Sequence, residues 1–328
     1  MKSFLRVIRI NPVVAAILYS ISRPLFDLSQ ALQSRIARQI KRNGGTAVYD
    51  GVPLYFPPNV GSDFLSAISW HGADGYERDT WGVLRSLIEK SCTFIDIGSN
   101  IGLYSVLAKK IAVEIDVFSF EPVPNLCEHS RRFHAANNVQ ASVQRLALGD
   151  CDGRATLYQP IESNPGETSA STLAGKSWQA RKSHHEIQVE TSRLDTFFSN
   201  TELREPVTIK IDVEDYEASV LYGAKETIHQ YKPWIVCEIL PRPKRPRNSI
   251  VPLTEQHGNA ETITALKVIG YTAFAITPAG IFRFSDGDFG AERSFTDFLL
   301  VPKEQVPHER SYFPNVRDFQ LAHLQSVA

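Results

Sequence analysis

From Cys92 to Pro302 the sequence alternates short apolar runs with amphipathic stretches, and this alternation limits the fold more than any other feature. "CTFIDIG", "DVFSFEP", "ASVQRLALG", "VTIKIDV" and "PWIVCEIL" have the length and apolar content of buried strands. Between them, "IGLYSVLAKKIA", "NLCEHSRRFHAANN" and "ASVLYGAKETIHQY" read as helices. Strands alternating with helices predict an α/β fold, a mostly parallel sheet covered on both faces. "RATLYQP" and "EIQVETSRL" are two further strands, separated by a polar insertion at about 162–185. After "PRPKRPRNSIVP" and the helix "ETITALKVIG", the strands "YTAFAIT", "GIFRF" and "TDFLLVP" follow without intervening helices, which predicts an antiparallel edge. Upstream, "AVYDGVPLYFPP" reads as a hairpin turning at Asp50-Gly51. The stretch 62–91 reads as a loop followed by a helix. The expected organisation is a basic helical extension over 1–45, a hairpin and helix over 46–91, a core domain over 92–302 and a tail over 303–328.

The chain is 43% hydrophobic and 22% charged, enough to build a full core. A net charge of -1 argues against a nucleic-acid partner. Charge is uneven, however. Residues 1–45 carry eight Lys and Arg against the single acid Asp27, together with the apolar run "PVVAAILYSI". That run is too short to span a bilayer, and "SISRPLF" is a poor cleavage site for a signal peptide. Two readings stand: a packed N-terminal helix, or a basic amphipathic helix resting on an anionic membrane surface. Cys92, Cys127, Cys151 and Cys237 show no CxxC spacing, so neither a disulfide framework nor a zinc site is expected. A reducing, cytoplasmic location is expected, with peripheral membrane contact through residues 1–45 as the sharper alternative.

The most informative segment is "FIDIGSNIG", where a strand runs into Gly98, Ser99, Asn100, Ile101 and Gly102 and a helix starts at once. Glycines at such a turn let a ligand approach the backbone, and the helix N-terminus offers N–H groups. The spacing is Asp-x-Gly-x-Asn-x-Gly, unlike the GxGxxG of dinucleotide binders, and no GK[ST] follows. Asp96, just before the turn, would repel a pyrophosphate and suit a cationic amino-acid end. That points to S-adenosyl-L-methionine rather than NAD or ATP. Glu121, at the tip of the next strand and about twenty positions on, is placed to accept ribose hydroxyls.

The order "FIDIGSNIGLYS", "FSFEPVPNL", "LALGDCDGRATLY", "SRLDTF", "IKIDVEDYEASVLYGA", "KPWIVCEI" resembles the FkbM-type S-adenosylmethionine-dependent methyltransferases, from about Tyr76 to about Pro302. The resemblance implies a class I, Rossmann-like methyltransferase sheet of seven strands. It implies that Asp96, Gly98, Ser99, Asn100 and Gly102 lie at the methionine end of the cofactor, Glu121 at the ribose and Ala147 near the adenine. Tyr76 and Glu77 match a "YE" element that closes over the cofactor. It further implies O-methylation of a hydroxyl, on a sugar of a glycan or glycoconjugate, or on a small secondary metabolite. A scaffold that keeps the fold without catalysis is the non-enzyme alternative. This chain departs from the family pattern at Asp215, where the family usually has glycine, and segments 1–70 and 241–258 match nothing family-wide.

Methyl transfer to an alcohol is an in-line displacement aided by a general base. Asp212 and Glu214 after the fourth strand and Glu238 in the fifth are the candidates, with His71 as a loop alternative. Asp212 and Glu214, two apart, would share one strand face. Asp212 has a second reading, orienting the methionine amino group, and Glu214 one as a binder of backbone N–H groups. Clustered acids also permit Mg²⁺, but none is assigned. Asp215 reads as a helix N-cap that tolerates a left-handed backbone, and Glu217 as a first-turn acid facing the helix dipole. His184 and His185 read as a solvated loop. "PRPKRPR", with Lys244 and Arg245, reads as a stiff loop or a lid for an anionic acceptor. Trp70, Trp81 and Trp178 read as core or sugar-stacking residues. No oligomeric state is expected from the residues.

Overall fold

The computed structural model describes residues 42–72, 76–160, 173, 184–240, 258–284, 295–306 and 312–313. The extension expected over 1–45 lies outside them up to position 41. The 162–185 insertion lies outside them save Leu173, His184 and His185, as do the loop over 241–257 and Trp178. The tail beyond 306 is described only at 312–313.

Strands β1 (Gly45–Tyr49) and β2 (Val52–Phe56) form the expected antiparallel hairpin, with Tyr49 opposite Val52. Asp50 and Gly51 turn it with φ of 47° and 79°, the positive pair that a two-residue turn of this hand requires. Val52, Leu54 and Phe56 alternate inward because successive strand side chains point to opposite faces. The stretch 62–91 holds two helices rather than a loop and one helix: α1 (Ser62–His71) and α2 (Arg78–Ile88). Phe64, Leu65 and Ile68 sit at helical spacing and are all buried, which winds α1 against the hairpin. Trp81 of α2 is 2% exposed and its Nε1 donates to Asp50 Oδ2 at 2.9 Å, so it is a core residue and not a ring platform.

The core alternates as expected: β3 (Thr93–Ile97), α3 (Leu103–Ile111), β4 (Asp116–Phe120), α4 (Pro124–Ala136), β5 (Ser142–Gln144) and β6 (Ala147–Leu148). The run "ASVQRLALG" is therefore two strands in different sheets, not one. β5 pairs with β4, while β6 crosses to pair with β8 (His184–Ser192), itself antiparallel to β7 (Gly153–Pro160). His184 and His185 open β8, so they belong to a strand and not to a loop. Next come α5 (Leu194–Phe197), β9 (Val207–Ile211), α6 (Glu217–Gly223), α7 (Lys225–Tyr231), β10 (Trp234–Glu238) and α8 (Gly258–Ile269). β11 (Tyr271–Thr277), β12 (Gly280–Arg283), β13 (Asp297–Pro302) and β14 (Tyr312–Phe313) close the chain.

Among the described residues the main sheet has nine strands in the order β14-β12-β11-β13-β10-β9-β3-β4-β5. This corrects the seven-stranded, mostly parallel expectation. The run from β10 to β5 is parallel, but every pairing from β10 outward through β14 is antiparallel. The expected antiparallel edge is present and larger than foreseen. The segment after Pro302 adds β14 against β12.

β3 and β9 are buried along their whole length because helices cover both faces. Phe94, Val236, Phe274 and Leu299 pack into one layer with the hairpin, α2 and α3. Ile95, Ile97, Ile209, Ile211 and Cys237 pack into the other with α6, α7 and α8. The strand order reverses between β3 and β9: chain progress runs outward through β4 on one side and β10 on the other. A crevice opens beyond the carboxyl ends at such a switch point, and ligands bind there in open α/β sheets. Among the described residues, no helix is long and apolar enough to cross a membrane.

Candidate active site

The turn after β3 is held by its own backbone. Gly98 has φ 76°, and its N–H and that of Ser99 both donate to Phe120 O at 3.0 Å. These two donors therefore tie β3 to β4 and do not wait for a ligand. Ser99 is 7% exposed, accepts a hydrogen bond from Ser119 Oγ at 2.7 Å, and is not part of the cavity wall. Gly102 also stands apart. It precedes α3 with φ 77°, and a Cβ there would meet His134 Cε1 at 2.5 Å and Ser130 Oγ at 2.6 Å. Its lack of a side chain admits the close approach of α4, and it does not line the cavity beside the turn.

A cavity of about 330 Å³ lies beside this turn, within the range of small-molecule sites. Of the residues expected from sequence, Tyr76, Glu77, Gly98, Asn100, Glu121, Ala147, Asp212, Glu214 and Glu238 line it. His71 does not; it ends α1, exposed. Asp96 also lies behind the wall: it is fully buried and accepts from Ser105 Oγ at 2.7 Å through Oδ2. Asp96 Oδ1 and Asn100 Oδ1 are buried without a hydrogen-bond partner among the described residues.

Glu121 Oε2 accepts the Asn100 N–H at 2.9 Å and Oε1 the Val123 N–H at 2.8 Å. Burial, opposed by those two bonds, pushes its carboxyl up to about 7. Beyond β9, Asp212 N donates to Ile97 O at 3.0 Å, which carries the β3–β9 pairing past the strand ends. Oxygens of Asp212, Glu214 and Glu238 lie within 4.8 Å of one another. Burial, together with the carboxylates of Asp212, Glu214 and Asp297, raises the Glu238 pKa. Carboxylates this close do not ionise independently of one another.

Two site residues escaped the sequence reading. Lys210 is 4% exposed and its Nζ donates to Asp212 Oδ2 at 2.8 Å. Burial opposes its charge, but the carboxylates of Asp212, Glu77 and Asp96 outweigh burial and hold the ammonium above the usual lysine range. Asp297 of β13 faces Glu238 across the sheet. Burial and the Glu77 carboxylate push it up to about 7, against Thr80 and Lys210, which lower it. Lys210 and Asp212 are two apart on a strand, so the alternation of side chains was a signal for the first. Nothing local marks Asp297.

The acidic helix-starters are also revised. Asp215 has φ 76°, as a position favouring glycine would, but the residue capping α6 is Tyr216 and no side chain closes that cap. Glu217 lies in the first turn, yet is 2% exposed and accepts the Asp215 N–H at 3.0 Å through Oε1.

The lining suits S-adenosylmethionine. Apolar residues such as Leu126, Ala147 and Leu157 accommodate an adenine. Glu121, with lone pairs left after two N–H bonds, and the unpartnered Asn100 Oδ1 accept hydroxyl or amino groups. Asp212 and Glu214 line the same cavity and would suit a cationic group.

Residues 96–271 match the family described as Methyltransferase FkbM domain. Three curated relatives are similar over part of the chain. "Methyltransferase 1" of Beauveria bassiana is 26% identical, over 39% of this chain and 57% of its own length. The hexuronic acid methyltransferase AglP of Haloferax volcanii is 24% identical, over 50% of this chain and 62% of its own. The 2-O-methyltransferase NoeI of Sinorhizobium fredii is 28% identical, over 44% and 62%. The chain thus spans about three fifths of the length of the curated relatives it matches. With the family matched across more than half of the chain, it belongs to the FkbM methyltransferases, and S-adenosylmethionine is its cofactor.

Proposed function

We propose that the protein transfers a methyl group to a hydroxyl oxygen of an uncharged sugar in a glycan or glycoconjugate. The observation that carries this reading is the Asp212–Glu238 pair on the cavity wall beside the Gly98 turn, with Asp212 held by the Lys210 ammonium. When bound, the cofactor supplies the methyl group on a sulfonium. Asp212 would take the proton of the acceptor hydroxyl as its oxygen attacks that methyl group. The attacking oxygen becomes more acidic as it is methylated, so a carboxylate within hydrogen-bond reach can serve as the base. Tyr76, Glu77, Asn100, Glu121 and Ala147 hold the cofactor. Asp96 supports from behind through Ser105.

The names of two relatives, a hexuronic acid methyltransferase and a 2-O-methyltransferase, support O-methylation of a sugar. The wall itself argues against an acidic one. Five carboxyl groups, Glu77, Glu121, Asp212, Glu214 and Glu238, line the cavity, and among the described residues no basic side chain does. Such a wall repels a uronate. The test is mass spectrometry for one added methyl group on matched neutral, amino and uronic sugars, beside calorimetry with S-adenosylhomocysteine. Methylation of the neutral sugar at least about tenfold faster than the uronate supports the reading. Cofactor-product binding with no sugar methylated redirects it to another acceptor, and no binding at all makes the protein a scaffold.

A further inference from the structure

The lysine behind the acids has a definable task. Lys210 lies on β9 opposite Asp96 of β3, and its ammonium reaches Asp212 Oδ2 at 2.8 Å. Its Nζ stands 5.0 Å from the centre of the Tyr104 ring, whose hydroxyl donates to Glu77 Oε2 at 2.5 Å. Lys210 itself does not line the cavity, whereas the carboxylate it grips does. Five segments around this point bring acids, while α3 brings the Tyr104 ring and the Ser105 hydroxyl. Glu77 stands ahead of α2, Asp96 on β3, Asp212 and Glu214 after β9, Glu238 on β10 and Asp297 on β13.

Oxygens of Asp212 and Glu238 lie within 4.8 Å of each other, and two carboxylates this close share a proton that must reside on one of them. We propose that Lys210 is a positioning residue whose ammonium holds Asp212 as the ionised member of the pair and so assigns the shared proton to Glu238. The physical ground is contact. A cation in direct hydrogen bond to one carboxylate, in a buried setting, stabilises negative charge there more than on a carboxylate it does not grip. Burial and three neighbouring carboxylates work on Glu238 in the opposite direction. The two effects divide a symmetric pair into an acceptor and a donor. Asp212 presents charge to the cavity, and Glu238 presents an O–H beside it. Without Lys210 the proton has no fixed address, and a hydroxyl entering the site meets a mixture of both arrangements.

The inference rests on the reading of Asp212 as proton acceptor, but its test needs neither cofactor nor acceptor. Carboxyl ¹³C resonances of the full chain are assigned with Asp212→Asn and Glu238→Gln. They are then compared at neutral pH in the wild type, Lys210→Met and Lys210→Arg. The wild type should show Asp212 at the ionised position and Glu238 at the neutral one. Lys210→Met should move Asp212 at least about half of the way toward the neutral position, and Lys210→Arg should restore it. Should Lys210→Met not fold, the double variant Lys210→Met/Asp96→Asn removes one buried charge of each sign and serves in its place. The proposal is overturned by a wild type with the proton on Asp212, or by an Asp212 resonance that stays ionised once the ammonium is gone. Calorimetry with S-adenosylhomocysteine on the same samples separates the two readings. An intact carboxyl pattern without binding removes the proposed activity and leaves the role of Lys210 standing.

Discussion

The carbonyl oxygen of Asp212 occupies the place where a side chain on Gly98 would begin: a Cβ there would stand 1.8 Å from it. The turn after β3 and the turn after β9 are thus pressed together, and Asp212 N closes the contact on Ile97 O at 3.0 Å. Gly98→Ala should cost about 3 kcal/mol or more, from a left-handed backbone plus a clash with main chain that cannot rotate away. It should also abolish binding of S-adenosylhomocysteine. Gly51→Ala is the control: its φ is 79° but nothing stands within 4 Å of the added carbon, so it should cost only about 1 kcal/mol. Equal losses in denaturant titrations of the two variants would contradict this.

Asp212 and Asp215 should separate by function. Asp212→Asn keeps the shape but removes the proton acceptor, and turnover should fall about 100-fold or more. Asp215 holds φ 76°, a conformation glycine adopts without strain, so Asp215→Gly should keep turnover within about twofold. Loss of activity in Asp215→Gly with retention in Asp212→Asn would reverse the assignment.

The buried acids set a pH dependence of stability. Burial pushes Glu217 up to about 8 and Glu121 to about 7, from an ordinary 4.5. Each binds its proton more tightly in the folded chain than in the unfolded one. Their contribution is therefore complete below pH 4.5 and is lost as pH rises through 7 and 8. The melting temperature of the ligand-free protein should fall between about pH 4.5 and 8, by about 2–4 °C for each kcal/mol lost. Glu217→Gln, neutral at every pH, should flatten part of that fall. A melting temperature that climbs across this window would show the carboxyls to be ionised in the fold.

Asn137 should be a structural anchor of the hairpin. It is 3% exposed, accepts the Tyr55 N–H at 2.9 Å, and donates to Tyr55 O at 2.8 Å and Phe133 O at 2.9 Å. Asn137→Ala should cost about 2–3 kcal/mol, because it strands groups on both β2 and α4. A loss below about 0.5 kcal/mol in chemical denaturation would show that water replaces the side chain.

Much of this was legible along the chain. The hairpin at Asp50-Gly51, the strand-turn-helix at Gly98 and the antiparallel closing strands each follow from local chemistry: positive-φ residues at turns and apolar side chains spaced for one buried face. The left-handed backbone at Asp215 was legible only through the resemblance, from the glycine usual in the family at that position. The splitting of "ASVQRLALG" was not. Arg145 and Leu146 carry the chain from one sheet to another, and a continuous apolar run looks the same whether its partner changes or not. α1 was missed because the glycines after it read as loop, while the burial of Phe64, Leu65 and Ile68 depends on the hairpin they pack against.

The sequence by itself determined which residue types stand at the strand tips: the glycine turn, Glu121, and the acids after β9. Their order along the chain places them there whatever the details of packing. Only the tertiary structure decided what each one faces. Asp96 and Gly102 belong to the same motif as Gly98, yet one is buried against Ser105 and the other against α4. Lys210, read along the chain as a break in an apolar strand, is the cation that Asp212 binds. Glu238 and Asp297 are far apart in sequence and become neighbours through the β10–β13 register. Local periodicity records which face of an element is buried; the partner across that face, and with it the charge an acid carries, is settled by strand register and helix packing.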